Sequence, residues 1–352
     1  MVDQFIDVFC HVLPKRYEEA RGRLGNQSQL AEHTPSYVNV VQADKAPLNY
    51  RMLTDLEARF RMMDEFENYR QVISASGPPV EVVSADHSDE LARLLNDELA
   101  ELAAKHPKYF VAAAASLPMN KPDRAARELE RVIRQLGLAG VQIYSNVLGQ
   151  ALDLPEFRPI FQLLSEYDVP VLLHPARSRR QADYLAEDKS KYLIWQVLGW
   201  PYETSAAAAR IVFSGILDEY PNLRIIMHHS GAMIPFFAAR IEALYKMFER
   251  VFAAEMGGPL KKPVLQYFSS FYADTATVST ASIECACQFF GTEHLLFATD
   301  VPFDVEGGKW SIRQTMQAIQ EARLSSEDRC KIFFQNFEAI FRVSVCHPAA
   351  QM

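Results

Sequence analysis

The sequence predicts a (β/α)8 barrel of the TIM type, and three observations lead to this fold class. Eight short apolar runs alternate with amphipathic segments along all 352 residues. Histidine or aspartate directly follows several of these runs. The glycine fingerprint that a doubly wound open sheet would carry after its first strand is absent. Because no linker divides the chain, we expect a single barrel domain over residues 1–352.

The predicted strands and helices follow one another in the order that such a barrel requires. Residues 88–106 repeat leucine at helical spacing, with charged residues on the other faces. Pro122 and Pro201 stand where the first turn of a helix accepts proline, and the C-terminal helices are expected at about 310–345. The eight predicted strands cover residues 5–9, 71–74, 109–114, 140–143, 169–173, 224–227, 269–273 and 294–298.

The segment 15–50 interrupts the alternation after the first strand. It is polar, irregular and too long for an ordinary barrel loop. We therefore expect a distorted barrel in which this insertion folds over the active-site end as a lid.

Composition narrows the possible functions. The net charge of −8 and the pI near 5.7 argue against a nucleic-acid partner, which would require a basic surface. No run of eighteen apolar residues could span a membrane, and the N-terminus lacks an export signal. The five cysteines show no CxxC spacing and do not resemble a disulfide framework. We expect a cytoplasmic protein.

Polar side chains end four of the predicted strands. His11 follows strand one, His174 follows strand five, His228 and His229 follow strand six, and Asp300 follows strand eight. In a (β/α)8 barrel the C-terminal strand ends form one active-site mouth. The sequence therefore predicts that these residues converge there.

Several stretches, taken in order, resemble the amidohydrolase superfamily. The resemblance is strongest to the branch of aminocarboxymuconate-semialdehyde decarboxylase, which includes the resorcylate and carboxyvanillate decarboxylases. It implies a divalent metal, commonly zinc and sometimes manganese, non-oxidative decarboxylation of an unsaturated or aromatic acid, and a homodimer. The stretches are FIDVFCHVLP, LARLLNDELAELAAKHPKYFVAAAASLPM, GVQI, LLHP, WPYET, HHSGAMIPF, FYAD and FATDVPF.

The resemblance also implies roles for individual residues. It assigns metal binding to His11, His174 and Asp300, and catalysis to His229 and Asp300 with His174 beside them. The spacing to Pro235 selects His229 as the catalytic histidine. Strand alternation should point His228 the other way, with a packing or supporting role.

Three further residues are candidates for binding an anionic substrate. Trp195 matches an aromatic residue of the family's substrate pocket, and Arg240 matches an arginine donated across the dimer interface. The loop after strand five places Arg177 just beyond His174, where a guanidinium can pair with a carboxylate. Nearby arginines 179 and 180 are expected to be solvated.

The first strand departs from the family pattern, because Phe9 replaces its first metal ligand. Alternation predicts Asp7, Phe9 and His11 on one side of the strand and Cys10 on the other. A thiolate binds zinc well, but a buried cysteine more often packs as a small apolar residue, which is the interpretation we favour for Cys10. Phe9 then becomes part of the substrate wall. The family's arginine in the insertion has no clear counterpart near residues 45–50.

Two histidines and one carboxylate still suffice for a catalytic metal site. We therefore predict a metal-dependent decarboxylase of a small anionic organic acid, in which Asp300 or His229 donates the proton. Three alternatives stay open: a hydrolase or hydratase of a related acid, a barrel that works without metal, and a barrel that only binds a ligand or partner.

Overall fold

Eight parallel strands form the centre of the computed structural model, which describes residues 4–25, 48–249, 251 and 259–345. The strands pair in chain order, and each predicted run overlaps one of them. The predicted (β/α)8 barrel is confirmed. The strands are β1 (Phe5–Val12), β2 (Tyr69–Ala75), β3 (Phe110–Ser116), β4 (Gly140–Tyr144), β5 (Val171–His174), β6 (Ile225–Met227), β7 (Tyr272–Asp274) and β8 (Leu295–Leu296).

Backbone contacts between β1 and the segment that follows β8 close the barrel. The N–H of Val8 donates to the carbonyl of Phe297 at 3.0 Å, and the N–H of His11 donates to that of Val301 at 2.9 Å. Cys10 also forms a parallel bridge with Val301. Closure brings His11 and the segment after β8 side by side, which positions the site described below.

Helices cover the outside of the barrel, and many begin as the sequence predicts. Pro122 opens a helix, and Pro201 lies in the first turn of another, where its missing N–H costs no hydrogen bond. A short hairpin, Asn146–Val147 with Gln150–Ala151, follows β4. The α-helices are Lys15–Leu24, Leu48–Thr54, Leu56–Met63, Val80–Val83, Ser88–Lys105, Pro122–Arg131, Arg158–Tyr167, Ile194–Val197, Gly199–Phe213, Ile216–Glu219, Ile234–Phe248, Val264–Phe268, Thr280–Phe290, Lys309–Glu321, Ser326–Cys330 and Asn336–Phe341.

The barrel interior is filled by small and branched side chains from several strands, including Val72, Ala114, Leu172 and Ile226. The helix Asn336–Phe341 adds aromatic rings to this interior cluster beside Gly140, the first residue of β4. The N-terminal end of the barrel is therefore filled by apolar side chains, and the polar groups lie at the C-terminal ends of the strands.

Strand β1 contains a bulge that changes which residues face the interior. Asp7 pairs with Gln71 while Cys10 pairs with Ile73, so β1 has one more residue than β2 across this step. The prediction that Asp7 shares a side with Phe9 and His11 is wrong, because the bulge interrupts the alternation between them. Phe9 packs in the interior, and Cys10 packs in the outer core, as expected.

The insertion is only partly described. Its first residues form the helix Lys15–Leu24 rather than an irregular chain, because Tyr17 and Ala20 bury one face against the barrel. The lid itself would fall mainly on residues 26–47, which lie outside the described residues. No helix in the described ranges is both long and apolar enough to cross a membrane.

Candidate active site

His11 and His174 lie at the C-terminal ends of β1 and β5, and both imidazoles are buried. Their Nδ1 atoms lie 3.0 Å from the carbonyl oxygen of Ala75 and 2.8 Å from that of Pro175, respectively. Because a carbonyl oxygen only accepts hydrogen bonds, each Nδ1 carries a proton, and Nε2 is the nitrogen of each ring that is left to bind a metal ion. The ring centroids are 5.2 Å apart. The structure thus brings these two predicted residues together.

Asp300 follows β8 in a left-handed backbone conformation, with a φ of 56°. Its Oδ1 lies 3.1 Å from His11 Nε2 and 3.6 Å from His228 Nε2, while its Oδ2 lies 3.9 Å from His229 Nε2. Burial alone would raise the pKa of Asp300, but the positive charge on His228 holds that pKa well below its ordinary value. Asp300 is therefore ionised at neutral pH and lies at the centre of the site.

The two consecutive histidines lie together, so the prediction that His228 points away from His229 is wrong. Strand β6 ends at Met227, and the chain turns at once, with a φ of 60° at His229 and 56° at Ser230. Strand alternation therefore no longer applies. The imidazole centroids are 3.8 Å apart.

Asp274, the last residue of β7, holds this turn in place. Its Oδ2 accepts a hydrogen bond from His228 Nδ1, and its Oδ1 accepts from the backbone N–H groups of Ser230 at 3.1 Å and Ala276 at 3.0 Å. Both Asp274 and His228 are completely buried. The carboxylate thus fixes the orientation of the His228 ring as well as the backbone beside it.

The surroundings drive the pKa values of the two histidines apart. Burial opposes protonation of both rings, but the carboxylates of Asp274 and Asp300 raise the pKa of His228 to about 10. Burial and the neighbouring charge on His228 lower the pKa of His229 to about 4. His229 is consequently neutral at pH 7 and can exchange a proton with Asp300.

We call the five residues His11, His174, His228, His229 and Asp300 the mouth cluster. Within the described ranges, four of its buried atoms lack a hydrogen-bond partner of good geometry: His11 Nε2, His228 Nε2, His229 Nδ1 and Asp300 Oδ1. An imidazole lone pair and a carboxylate oxygen 3.1 Å apart repel each other unless a proton or cation lies between them. Potential ligand atoms of His228, His229 and Asp300 all lie within 4.8 Å of one another. This donor set fits a divalent metal ion.

Phe9 forms an apolar wall of the mouth cluster. Its side chain is completely buried. The ring stacks on His228 at a centroid distance of 3.9 Å and lies 5.7 Å from the ring of His11 and 5.8 Å from that of His174. A phenyl ring offers no ligand atom, so the metal-binding residue that the family pattern expects here is missing.

Comparison with known proteins supplies the family. The amidohydrolase family model matches residues 6–343. This chain belongs to the amidohydrolase family. It is 31% identical over 317 residues to gamma-resorcylate decarboxylase of Polaromonas sp. strain JS666, covering 87% of this chain and 93% of that protein.

Solved structures of amidohydrolases agree with this assignment. The 5-carboxyvanillate decarboxylase of Sphingomonas paucimobilis superposes with a TM-score of 0.82 at 25% identity, covering 97% of this chain and all of that one. A dihydroxybenzoic acid decarboxylase of Polaromonas sp. JS666, solved with manganese and the inhibitor 2-nitroresorcinol, gives a TM-score of 0.76 at 26% identity, covering 97% of both chains.

Two of the predicted substrate-binding residues, Trp195 and Arg177, already have partners within the chain. Trp195 is buried and packs edge-to-face on Trp200, and Trp200 in turn contacts the ring of His174 at 5.8 Å. Arg177 Nη1 lies 3.0 Å from Glu203 Oε1. The structure therefore pairs Arg177 within the chain, and its predicted contact with a substrate carboxylate would compete with Glu203.

Arg240 is exposed on the helix Ile234–Phe248. Among the described residues it pairs with no carboxylate. Phe236, one turn earlier on the same helix, is 79% exposed. The predicted donation of Arg240 to the substrate of a neighbouring molecule stays a prediction.

Sequence reasoning missed two residues that support the site. Asp274 ends β7 in the FYAD stretch, and the strand-end rule that selected Asp300 would have found it. Arg59 is completely buried and donates from Nη1 to the carbonyl of His11 at 2.7 Å. Its position on a helix gives no sequence signal, because an arginine there ordinarily faces solvent.

Proposed function

We propose that this chain is a metal-dependent, non-oxidative decarboxylase of a small aromatic or unsaturated carboxylic acid. The observation that carries the proposal is the convergence of His11 Nε2 and His228 Nε2 on one oxygen of Asp300, with His229 Nε2 3.9 Å from the other oxygen of the same carboxylate. Asp300 and His229 retain access to the mouth, with exposed fractions of 23% and 19%. The relatives named for gamma-resorcylate and 5-carboxyvanillate support the same reaction.

His11, His174 and Asp300 would hold the divalent ion. When bound, the ion supplies positive charge that orients and polarises the oxygens of an anionic substrate. Manganese is present in the Polaromonas relative, and imidazole-rich donor sets also suit zinc. Metal analysis of the purified protein would decide between these two ions.

The proton chemistry follows from the protonation states of the two mouth residues. Asp300 is ionised, so it first accepts a proton from a hydroxyl or carboxyl group of the substrate. It then delivers this proton to the carbon that bears the carboxylate. The carbon–carbon bond breaks, its electron pair returns to the ring or diene, and carbon dioxide leaves. His229 restores the proton balance by exchange with Asp300 and with water at the mouth.

Aromatic side chains would form the walls of the substrate site. Phe9 covers one side of the mouth cluster, and Trp200 lies against His174 with its buried Nε1–H lacking a partner among the described residues. This N–H can donate to a substrate oxygen. Trp195 supports Trp200 from behind.

The first experiment is an assay of carbon dioxide release from hydroxybenzoates, hydroxylated heteroaromatic acids and muconate-type acids, paired with metal analysis. We expect release from at least one acid. Addition of water or ring opening without carbon dioxide would favour the alternative hydrolase or hydratase. Complete inertness of metal-loaded protein toward all three classes would contradict the proposed function.

We also propose a homodimer in which Arg240 reaches the neighbouring subunit's substrate. Exposed apolar side chains lie on the Arg240 helix and around the start of the helix Gly199–Phe213, and a partner surface would cover them. Met233 N–H donates to Ser205 Oγ at 2.9 Å, which places the helix Gly199–Phe213 against this region. The exposed apolar residues are Tyr192, Val197, Leu198, Tyr202 and Phe236.

Arg240→Ala tests this arrangement. We expect KM to rise by an amount equivalent to about 2–4 kcal/mol, because a buried charge pair with the substrate would be broken. Lys246→Ala on the same helix is the control, since Lys246 forms an exposed pair with Glu242 and should leave KM unchanged. A monomer in analytical ultracentrifugation, or an unchanged KM in the Arg240 variant, would contradict the donated arginine.

A further inference from the structure

Phe9 leaves the metal site one ligand short on the side of β1, and the structure shows what fills that side. The Phe9 ring lies flat on the His228 ring, with an interplanar angle of 15°. His228 is therefore the side chain in face-to-face contact with the residue that replaced the expected ligand. An imidazole at this place can supply the nitrogen that a phenyl ring cannot.

The second nitrogen of His228, Nε2, binds a metal ion only after the ion displaces its proton, and it lies at ligand distance from the Asp300 oxygen that also faces His11. His228 Nε2 and His11 Nε2 lie 3.6 and 3.1 Å from the same oxygen, Oδ1 of Asp300. In a tetrahedral site with bonds of about 2.0–2.1 Å, neighbouring ligand atoms are separated by about 3.3 Å. Two of the ligand-to-ligand distances that such a site requires are thus already present.

The opposite nitrogen of His228 is anchored in the manner typical of a metal ligand. Its Nδ1 donates to the buried carboxylate of Asp274. Histidine ligands commonly donate their second N–H to a carboxylate or a carbonyl, which fixes the ring and raises its basicity. His11 and His174 make the equivalent bond to carbonyl oxygens. All three rings therefore present Nε2.

We propose that His228 Nε2 replaces the lost β1 ligand, so that His11, His174, His228 and Asp300 hold the ion and His229 stays free for proton transfer. The proposal rests on the metal dependence included in the proposed function. It adds His228 to the ligand set predicted from the sequence, so that a residue of the turn after β6 takes the place of the family ligand that is missing from β1.

Metal affinity of single variants is the first test. Zinc and manganese dissociation constants would be measured by competition with a chelator for the wild type, His228→Ala and His229→Ala. We expect His228→Ala to weaken binding at least 100-fold and His229→Ala to change it less than about threefold. Unchanged affinity in His228→Ala, or equal losses in both variants, would overturn the assignment.

A rescue experiment keeps the test decisive if His228→Ala is unstable. Phe9→His should return the ligand to its usual place, so the double variant Phe9→His/His228→Ala should regain most of the affinity lost by His228→Ala. Asp274→Asn retains the ring but weakens its anchor, and we expect a loss of about 10–100-fold. Absence of any rescue in a folded double variant would contradict the proposal.

X-ray absorption of the zinc-loaded wild type gives a measurement that requires no variant. Three coordinated imidazoles are expected, whereas two would leave only His11 and His174 and would overturn the role of His228. If the wild type binds neither ion yet releases carbon dioxide, the ligand assignment fails while decarboxylation stands. If the affinities follow the expected pattern but no acid is decarboxylated, the ligand assignment stands and the proposed decarboxylation fails.

Discussion

Two buried polar clusters lie on opposite sides of β1, and they differ in how well their acceptors are satisfied. The outer network consists of Asp7, Arg59, Tyr69 and Gln71. Asp7 Oδ1 accepts from the backbone N–H of Thr299 at 3.1 Å, and its Oδ2 accepts from Tyr69 at 2.6 Å and from the Thr299 hydroxyl. Gln71 accepts from Arg59 at 2.8 Å and donates to Tyr69 at 2.9 Å. The one atom of the outer network without a hydrogen-bond partner in the described part of the chain is a donor, Nη2 of Arg59.

The mouth cluster on the inner side has the opposite pattern. Its unpartnered atoms include His11 Nε2 and Asp300 Oδ1, and these converge on one space. Buried acceptors are ordinarily paired, since each unpaired one costs about 1–3 kcal/mol. The outer network therefore holds the fold, and the mouth cluster retains unsatisfied acceptors that a cation or substrate can engage. Four predictions follow from this difference, beginning with the largest effect.

The largest effect should come from exchanging one carboxylate in each cluster for an amide. We expect Asp300→Asn to lower kcat by about 10³-fold or more, because it removes the proposed proton carrier and one proposed metal ligand. Asp7→Asn, the matched control, should retain kcat within about tenfold while its melting temperature falls. Steady-state kinetics and thermal unfolding of both variants provide the measurement. Similar losses of kcat in the two would mean that the clusters do not have separate roles.

Arg59→Met tests the outer network directly. The change leaves three acceptors without their donor, namely Gln71 Oε1 and the carbonyls of His11 and Met52. We expect the free energy of unfolding to fall by about 2–4 kcal/mol, since removal of the buried charge offsets part of the loss. Urea denaturation measures it. Exposed Arg61→Met on the same helix is the control, and an equal effect there would contradict a special role for Arg59.

The sequence was sufficient to predict the barrel and the strands that contribute to the mouth. Periodicity located all eight strands, and the strand-end rule selected His11, His174 and Asp300, which the structure brings together. Both signals are local, because they depend on residues adjacent in the chain. Their success shows that the position at which a strand ends is enough to place the following residue at the mouth of the barrel.

The remaining features depend on backbone geometry that local patterns do not encode. The bulge in β1 moved Asp7 to the outer side, and the turn after Met227 brought His228 beside His229. Strand alternation fails at both points because one extra residue, or one left-handed residue, reverses the direction of the side chain. Arg59 escaped prediction because its partners, the Gln71 side chain and the carbonyls of His11 and Met52, are brought to it by the fold and leave no local sequence pattern.

Glu81 differs from both the outer network and the mouth cluster, because it is a buried acceptor that belongs to neither. Its Oε2 has no partner among the described residues, and burial raises its pKa from 4.5 to about 7. An isolated buried carboxyl group can avoid the cost of an unpaired charge by keeping its proton. The converging acceptors of the mouth cluster require a shared cation instead. Glu81 therefore gives stability that depends on pH.

Between pH 4.5 and 7 the unfolded chain releases the Glu81 proton that the folded chain retains. The contribution is complete below the unfolded pKa and is lost as pH rises through the folded pKa. We expect Glu81→Gln to remove this part of the pH dependence, amounting to at most about 3 kcal/mol between pH 4 and pH 8. Urea denaturation of both proteins at the two pH values measures it. Parallel pH profiles would show that Glu81 is ionised in the folded state.

The smallest effect should follow Cys10→Ala, on the outer side of β1. Its Sγ lies 3.6 Å from the Asp7 carbonyl and 3.9 Å from the Tyr69 hydroxyl, and burial raises the pKa of the thiol well above its ordinary value. We expect the free energy of unfolding to fall by about 1 kcal/mol and the metal dissociation constant to stay within about twofold. Chelator competition and urea denaturation measure the two quantities. A loss of metal affinity comparable to that of His228→Ala would place a thiolate in the site, and the division between the two sides of β1 would no longer hold.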